Sequence, residues 1–274
     1  MKKKSSLMTK LAGAPYIVWA ILFIIVPLIM VAYYAFTDKT GAFTLENMSS
    51  IGKYADTIIL SVWLGLLATV LSLIIAYPVA MIMAKKGPGK QSTMTMIIML
   101  PMWMNFLLRT YSWMTILEDN GIINTLVTAL GFEPLRLINT RGAVVLGMIY
   151  NFLPYMILPI YTVMLKMDRS LIEAAQDLGG NKFDVFRNVT IPSSIPGVVS
   201  GFTMVFVPSV STFYISQKLG GTGTTLIGDI IETQFQTANN FNLGASLSFV
   251  LMILIFICLF IMNKFSDDDG GVII

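Results

Sequence analysis

The stretch SLIEAAQDLGGNKFDVFRNVTIPSS, Ser170–Ser194, is polar and charge-mixed within a chain that is otherwise strongly apolar. Between Lys166 and Arg187 stand eight charged residues, four of each sign, although the 274-residue chain is 55% hydrophobic and only 12% charged. The stretch reads as two short helices joined by a glycine elbow. Ser170-x-x-Glu173 has the spacing of a capping box, in which two side chains satisfy each other's orphan amides. Leu171, Ala174, Ala175 and Leu178 recur at helical spacing and share one face. Gly179-Gly180 stops the helix, because glycine enters the left-handed C-cap conformation at little cost. Asn181 can cap a second helix over Lys182–Asn188, carrying Phe183 and Phe186, and Pro192 and Pro196 mark the entry to the next apolar segment. A helix–elbow–helix knob over 166–194 is therefore expected, and its flanks decide what it projects from.

Those flanks are membrane-like. The mean hydropathy is +0.76, and several nearly uncharged runs reach the roughly 20 residues that span ~30 Å of hydrocarbon as a helix. Six can be read: Pro15–Phe36, Ile58–Ala84, Thr93–Leu117, Gly142–Leu165, Ile195–Ser216 and Leu243–Met262. Lipid satisfies no backbone groups, so each must be helical. The expected fold is an all-α membrane protein, a single transmembrane domain over 1–274 with six transmembrane helices and the knob between the fourth and fifth.

Orientation follows from Lys and Arg, which collect in cytoplasmic loops. One set of loops holds Lys2, Lys3, Lys4, Lys10, Lys85, Lys86, Lys90, Lys166, Arg169, Lys182, Arg187 and Lys264; the other holds Lys39, Lys53, Arg136, Arg141 and Lys218. Twelve against five predicts cytoplasmic N and C termini and a cytoplasmic knob. The opening MKKKSSLMTK has the charge of a signal-peptide start, but its apolar run is too long and the small residues Ala12–Ala14 precede that run, so an uncleaved first span is expected. The tail SDDDGGVII reads as a short disordered end. Outside lie Thr37–Thr57, Glu118–Arg141 and Gln217–Asn242, of which Asn120–Phe132 has the spacing of a surface helix.

Several chemistries are excluded. There is no histidine and one cysteine, Cys258, which removes intrachain disulfides, His-based acid–base chemistry and a zinc site. A formal charge of +3 is too small for a nucleic-acid partner. Gly87–Ser92, GPGKQS, is no phosphate-binding loop, because Ala84 stands where the first Gly is needed and Gln91 where Ser or Thr must follow Lys90. Rhomboid-type proteolysis lacks its His, and Gly228-Asp229 lacks the earlier Gly of intramembrane aspartyl proteases, since Leu226 takes that place. A secondary transporter would need coupling carboxylates within the spans, and the six apolar cores hold essentially none. A non-transport structural membrane partner satisfies the composition but leaves the knob unexplained.

Glu173-Ala174-Ala175, three residues, Gly179, nine residues, then Val189-Thr190-Ile191-Pro192 resembles the EAA loop of bacterial ABC importer permeases. Val189 and Ile191 are conservative departures from that pattern. The resemblance implies that Glu173, Ala174, Ala175, Gly179 and Pro192 belong to a coupling loop docking on a separate ATPase subunit. Leu100–Leu117, Gly121–Leu126, Tyr150–Tyr161 and Leu226–Phe235 are further similar to permeases of spermidine/putrescine importers, PotB type. That likeness implies a homologous permease (PotC-like), two ATPase subunits (PotA-like) and an extracellular binding protein (PotD-like), with membrane lipid around the spans. It implies no cofactor on this chain and no catalysis by it, with ATP and Mg on the partner ATPase.

A polyamine path needs carboxylates at intervals and aromatic faces for cation–π contact. Candidates are Trp103, Asn105, Tyr111, Tyr150, Tyr155 and Tyr214 with Glu118, Asp119, Asp229 and Glu232. Trp103 and Asn105 also match the family's Pro-x-Trp-x-Asn segment. Aromatic residues gather at membrane interfaces in any case, so each one alone is equally an interfacial anchor, and another small solute such as an anion remains the alternative cargo. Arg109 is expected near the outer end of its span, paired with a carboxylate or a helix C-terminus; facing the path, it would favour an anion. Pro101, Pro154, Pro159 and Pro208 are expected to kink spans three to five.

Overall fold

The computed structural model describes residues 15–267. Lys2, Lys3, Lys4, Lys10 and the tail beyond Asp267 lie outside the described residues. All described regular elements are helices, and one isolated bridge pairs Thr37 with Phe43. We number them α1 Pro15–Ala35, α2 Ala55–Ala84, α3 Pro88–Trp103, α4 Phe106–Leu117, α5 Ile122–Ala129, α6 Arg141–Lys166, α7 Arg169–Asp177, α8 Lys182–Ser211, α9 Tyr214–Leu219, α10 Ile227–Gln236 and α11 Phe241–Asp267.

Among the described residues, five helices are long and apolar enough to cross a membrane: α1, α2 with the turns from Glu46, α6, α8 and α11 through Met262. The third expected span, Thr93–Leu117, is not one helix. It is broken at Met104 and Asn105, whose ψ angles of 146° and 130° are extended. Pro101 does not make this break, since it lies inside α3 and crowds only the carbonyl four residues back; the Asn105 side chain accepts the Leu107 amide at 2.8 Å and starts α4 afresh. By contrast Pro154 and Pro159 lie inside an unbroken α6, and Pro208 inside α8. The fifth span ends at Ser211 and not at Ser216, because Thr212 turns extended before α9. Asn120–Phe132 does contain a helix, α5.

The described chain forms two compact units. In the first, comprising residues up to Ala55 and Ile230–Ile253, the C-terminal carbonyls of α1 are satisfied from α11. Asn242 Nδ2 donates to Thr37 O at 2.7 Å and Tyr34 O at 3.2 Å, and Ser246 Oγ to Ala35 O at 2.9 Å. Phe36 meets Phe249 edge to face at 5.4 Å. Just beyond, Asp38 closes a turn, its carboxyl held below the ordinary range chiefly by the Thr40 hydroxyl.

The second unit, Asp56–Asp229 with the residues from Leu254, has a core built where helices approach closely. α2 buries a stripe of mostly small residues, including Ser61, Gly65, Ala68, Ser72, Ala76 and Ala80, and leaves Ile59, Trp63, Leu67 and Ile74 exposed. Between α6 and α8 the device is Gly197-x-x-x-Gly201. A Cβ at Gly197 would lie 2.9 Å from Pro159 O, and one at Gly201 3.0 Å from Met156 O. Lipid provides no hydrophobic drive for helices to associate, so backbone contact through small residues takes over. Met83, Met156, Ile160 and Val205 fill the space beside this contact.

Candidate functional site

The knob forms, with two local differences from the expected reading. α6 ends where Met167 turns extended. The first cap of α7 is Asp168, whose Oδ1 accepts the Ser170 amide at 2.9 Å; that amide holds the Asp168 carboxyl below its ordinary range. The Ser170–Glu173 capping box is thus replaced. Asp168 is the residue that follows the extended Met167, so its carboxylate reaches the orphan amides first, and the Glu173 side chain stays exposed.

At the other end, Gly179 has φ +85°. Its amide donates to Gln176 O at 2.9 Å and that of Gly180 to Ala175 O at 3.0 Å, which is the Schellman closure. Asn181 Oδ1 then accepts the amides of Phe183 and Asp184 at 2.8 and 3.1 Å, and Asp184 Oδ2 accepts the Asn181 amide at 3.0 Å. The second knob helix does not stop at Asn188. It runs into the fifth span through a π turn, Phe186–Thr190, in which the Ile191 amide reaches back to Phe186 O. Pro192 forces this solution: a proline lacks its own amide and clashes with the preceding turn, and the wider π turn relieves both.

The elbow is tied to α2 by Tyr77, whose hydroxyl lies 2.9 Å from Ser194 Oγ and whose ring meets Phe186 edge to face at 5.9 Å. Its outer face is left apolar and uncovered. No residue of α7 is buried; Leu178 is 90% exposed, Phe183 65% and Leu171 50%. On the side facing the α2–α3 turn a cavity of about 860 Å³ is lined by Glu173 together with Lys85, Arg169 and Lys182.

The path candidates scatter more widely. Trp103, the last residue of α3, is 71% exposed, and Asn105 is the cap of α4. Tyr150 is half-buried, edge-on to Trp113 at 5.3 Å. Tyr155, Glu118 and Asp119 are exposed, and Glu232 is half-buried. Asp229 is buried at 6% exposure, with Oδ2 accepting the Leu226 amide at 2.7 Å and Oδ1 the Ser216 hydroxyl at 2.9 Å. Its carboxylate organises the start of α10.

Tyr111 and Tyr214 come together, and they do so with partners that sequence reasoning missed. Tyr214 lies 5.9 Å from the Phe106 ring and 6.2 Å, edge to face, from Tyr111. Cations flank this aromatic trio. Lys218 Nζ stands 5.4 Å from the Tyr111 centroid and 5.7 Å from that of Tyr214. Arg109 Cζ stands 5.9 Å from the Phe106 ring. The expected pairing of Arg109 is not made through Nε or Nη1, both of which are buried without a hydrogen-bond partner. It is only 8% exposed, because α4 turns this residue onto the packed side of its helix. The one advance sign of the cluster is Lys218 standing one helical turn after Tyr214.

Comparison with known proteins matches residues 76–268 to the family described as binding-protein-dependent transport system inner membrane component. The chain is 33% identical over 274 residues to the spermidine/putrescine transport system permease protein PotB of Haemophilus influenzae, covering 96% of each. It is 32% identical to the protein of the same name in Escherichia coli, covering 86% of this chain and 89% of that one. It is 30% identical to the inner membrane ABC transporter permease protein YdcU of Escherichia coli, covering 87% and 82%. Among solved structures, the fold is similar to a chain of a bacterial ABC transporter that imports the acidic polysaccharide alginate, with a TM-score of 0.76 at 14% identity and 95% of both chains covered. A chain of the MetNI methionine ABC transporter gives 0.60 at 16% identity, covering 82% of this chain and 99% of that one.

Proposed function

Because the chain belongs to the binding-protein-dependent transport system inner membrane components, we propose that it is the permease subunit of an ATP-driven importer of polyamines. The observation that carries the substrate is the similarity along 96% of both chains to a permease named for spermidine and putrescine. The chain is a multi-pass protein of the bacterial inner membrane. It acts as one permease domain over 1–274 and forms the path with a homologous PotC-like permease. A PotD-like binding protein delivers the cargo, and two PotA-like ATPases hold ATP and Mg. The exposed apolar face of α7 and the elbow at Gly179 support docking on the ATPase, with Glu173, Ala174 and Ala175 at the contact and Pro192 setting the exit into the span.

In this reading α3 and α4 together make the third of six crossings, and both termini are cytoplasmic. The support is the twelve-to-five division of basic residues. With Cys258 replaced by serine, a cysteine at Asp119 is expected to react with an impermeant maleimide added outside intact cells. Cysteines at Ser5 and Lys182 are expected to react only after permeabilisation. External labelling at either of these two would reverse the orientation and move the knob away from any cytoplasmic ATPase.

The substrate is tested in proteoliposomes carrying the full complex, with labelled spermidine and putrescine beside phosphate, sulfate and a sugar. ATP-dependent uptake of the two amines, uncompeted by the others, is expected. The buried guanidinium of Arg109 favours one second reading, an anionic cargo. Preference for phosphate or sulfate would leave the importer standing, remove the polyamine and make Arg109 a ligand.

A further inference from the structure

The aromatic pair Tyr111–Tyr214 already holds an alkylammonium, and it belongs to the chain itself. Lys218 Nζ lies 5.4 and 5.7 Å from the two ring centroids, within the ~6 Å over which a ring quadrupole attracts a cation. The contact to Tyr214 joins residues one helical turn apart in α9, where α-helical neighbours meet anyway. The contact to Tyr111 does not, since Tyr111 comes from α4. The ammonium is therefore clamped between two elements. Tyr111 is still 41% exposed, so the clamp is open to an arriving ligand. Lys218 is also the one basic residue between Gln217 and Asn242.

A lysine side chain is a primary ammonium on a four-carbon stem, the same group that ends putrescine and the aminobutyl arm of spermidine. We propose that Tyr111 and Tyr214 form an ammonium subsite and that Lys218 is its tethered surrogate, displaced when the terminal ammonium of the cargo arrives. This rests on the polyamine reading above. The exchange is like for like: the rings keep a cation throughout. The tether also weakens net binding of the cargo, and a path must bind its solute weakly enough to release it. Arg109, against the Phe106 ring of the same trio, is too enclosed to play this part.

The test uses the complete complex in proteoliposomes and labelled spermidine. Lys218→Met keeps the stem and removes the competitor, and is expected to lower the KM for spermidine about three- to fivefold, the equivalent of one partly exposed cation–π contact. Lys218→Arg, which returns a cation to the rings, is expected to bring the KM back. In a Tyr111→Leu background Lys218→Met is expected to have a smaller effect, since only the Tyr214 face is then left to be freed. Lys218→Gln repeats the measurement should the methionine variant assemble poorly. An unchanged or raised spermidine KM in both neutral variants overturns the surrogate while leaving the polyamine reading intact. A wild-type complex that takes up neither spermidine nor putrescine overturns the polyamine reading itself, and the surrogate with it.

Discussion

Replacing Gly179 by valine is expected to cut ATP-driven uptake at least ~10-fold, a factor worth about 1.4 kcal/mol, with the chain still in the membrane. Gly179 sits at φ +85° with open space where its side chain would be, so the penalty is conformational and not steric. A left-handed backbone costs an L-residue roughly 1–2 kcal/mol, and a β-branched residue is the worst placed to accept it. α7 has no buried residue to offset that loss, and a helix this short is marginal in isolation. Gly180 fails for a different reason: a Cβ there would meet Ala175 O at 2.6 Å, the carbonyl that closes the turn. Glu173→Lys is expected to lower uptake as strongly without disturbing the elbow. It places a fourth cation beside Lys85, Arg169 and Lys182 on a surface meant to meet a partner. Uptake and co-purification of the ATPase decide the matter together. Normal values for both in Gly179→Val and Glu173→Lys would remove the knob from the coupling role.

Trp103→Ala is expected to lower spermidine uptake about tenfold at low substrate, the effect of losing a desolvated cation–π contact of ~1–2 kcal/mol. Trp103 is 71% exposed at the break between α3 and α4, so few intrachain contacts are lost with the indole. Trp113→Ala is the informative comparison. That ring is packed against Tyr150 at 5.3 Å, beside the main core of the second unit. Its loss is expected to reduce the amount of folded chain while leaving uptake per assembled complex near normal. Equal uptake per complex in the two variants would take Trp103 out of the path.

The knob is legible in the sequence because its determinants are local. Gly179, Asn181 and the apolar face of α7 act through neighbours within a turn, where spacing and conformational preference decide the outcome. The capping-box spacing misleads for an equally local reason. Two acceptors, Asp168 and Ser170, compete for the same orphan amides, and only the end of α6 at Met167 determines which one is first in reach. The third span shows the opposite limit. Hydropathy sees an unbroken apolar run over Thr93–Leu117, but is blind to a cap such as Asn105 that restarts a helix inside it.

The amino-acid sequence by itself determined that the chain is helical and membrane-bound, where its charge lies, and that a glycine elbow interrupts it between two apolar segments. Those properties are sums over short windows: an uncharged run must be helical in lipid, and glycine must stand where the backbone turns left-handed. Only the tertiary structure decided which side chains meet. Tyr111, Tyr214 and Phe106 are drawn from two helices about a hundred residues apart in sequence, and Lys218 reaches both tyrosines only because α9 packs against α4. Asp229 and Arg109 carry opposite charges and no local mark of burial, yet the turn into α10 encloses the first with its hydrogen-bond donors, and the packing of α4 encloses the second with two nitrogens unpartnered. Burial is a property of the helix facing a residue, and that helix is not written in the residue's own neighbourhood.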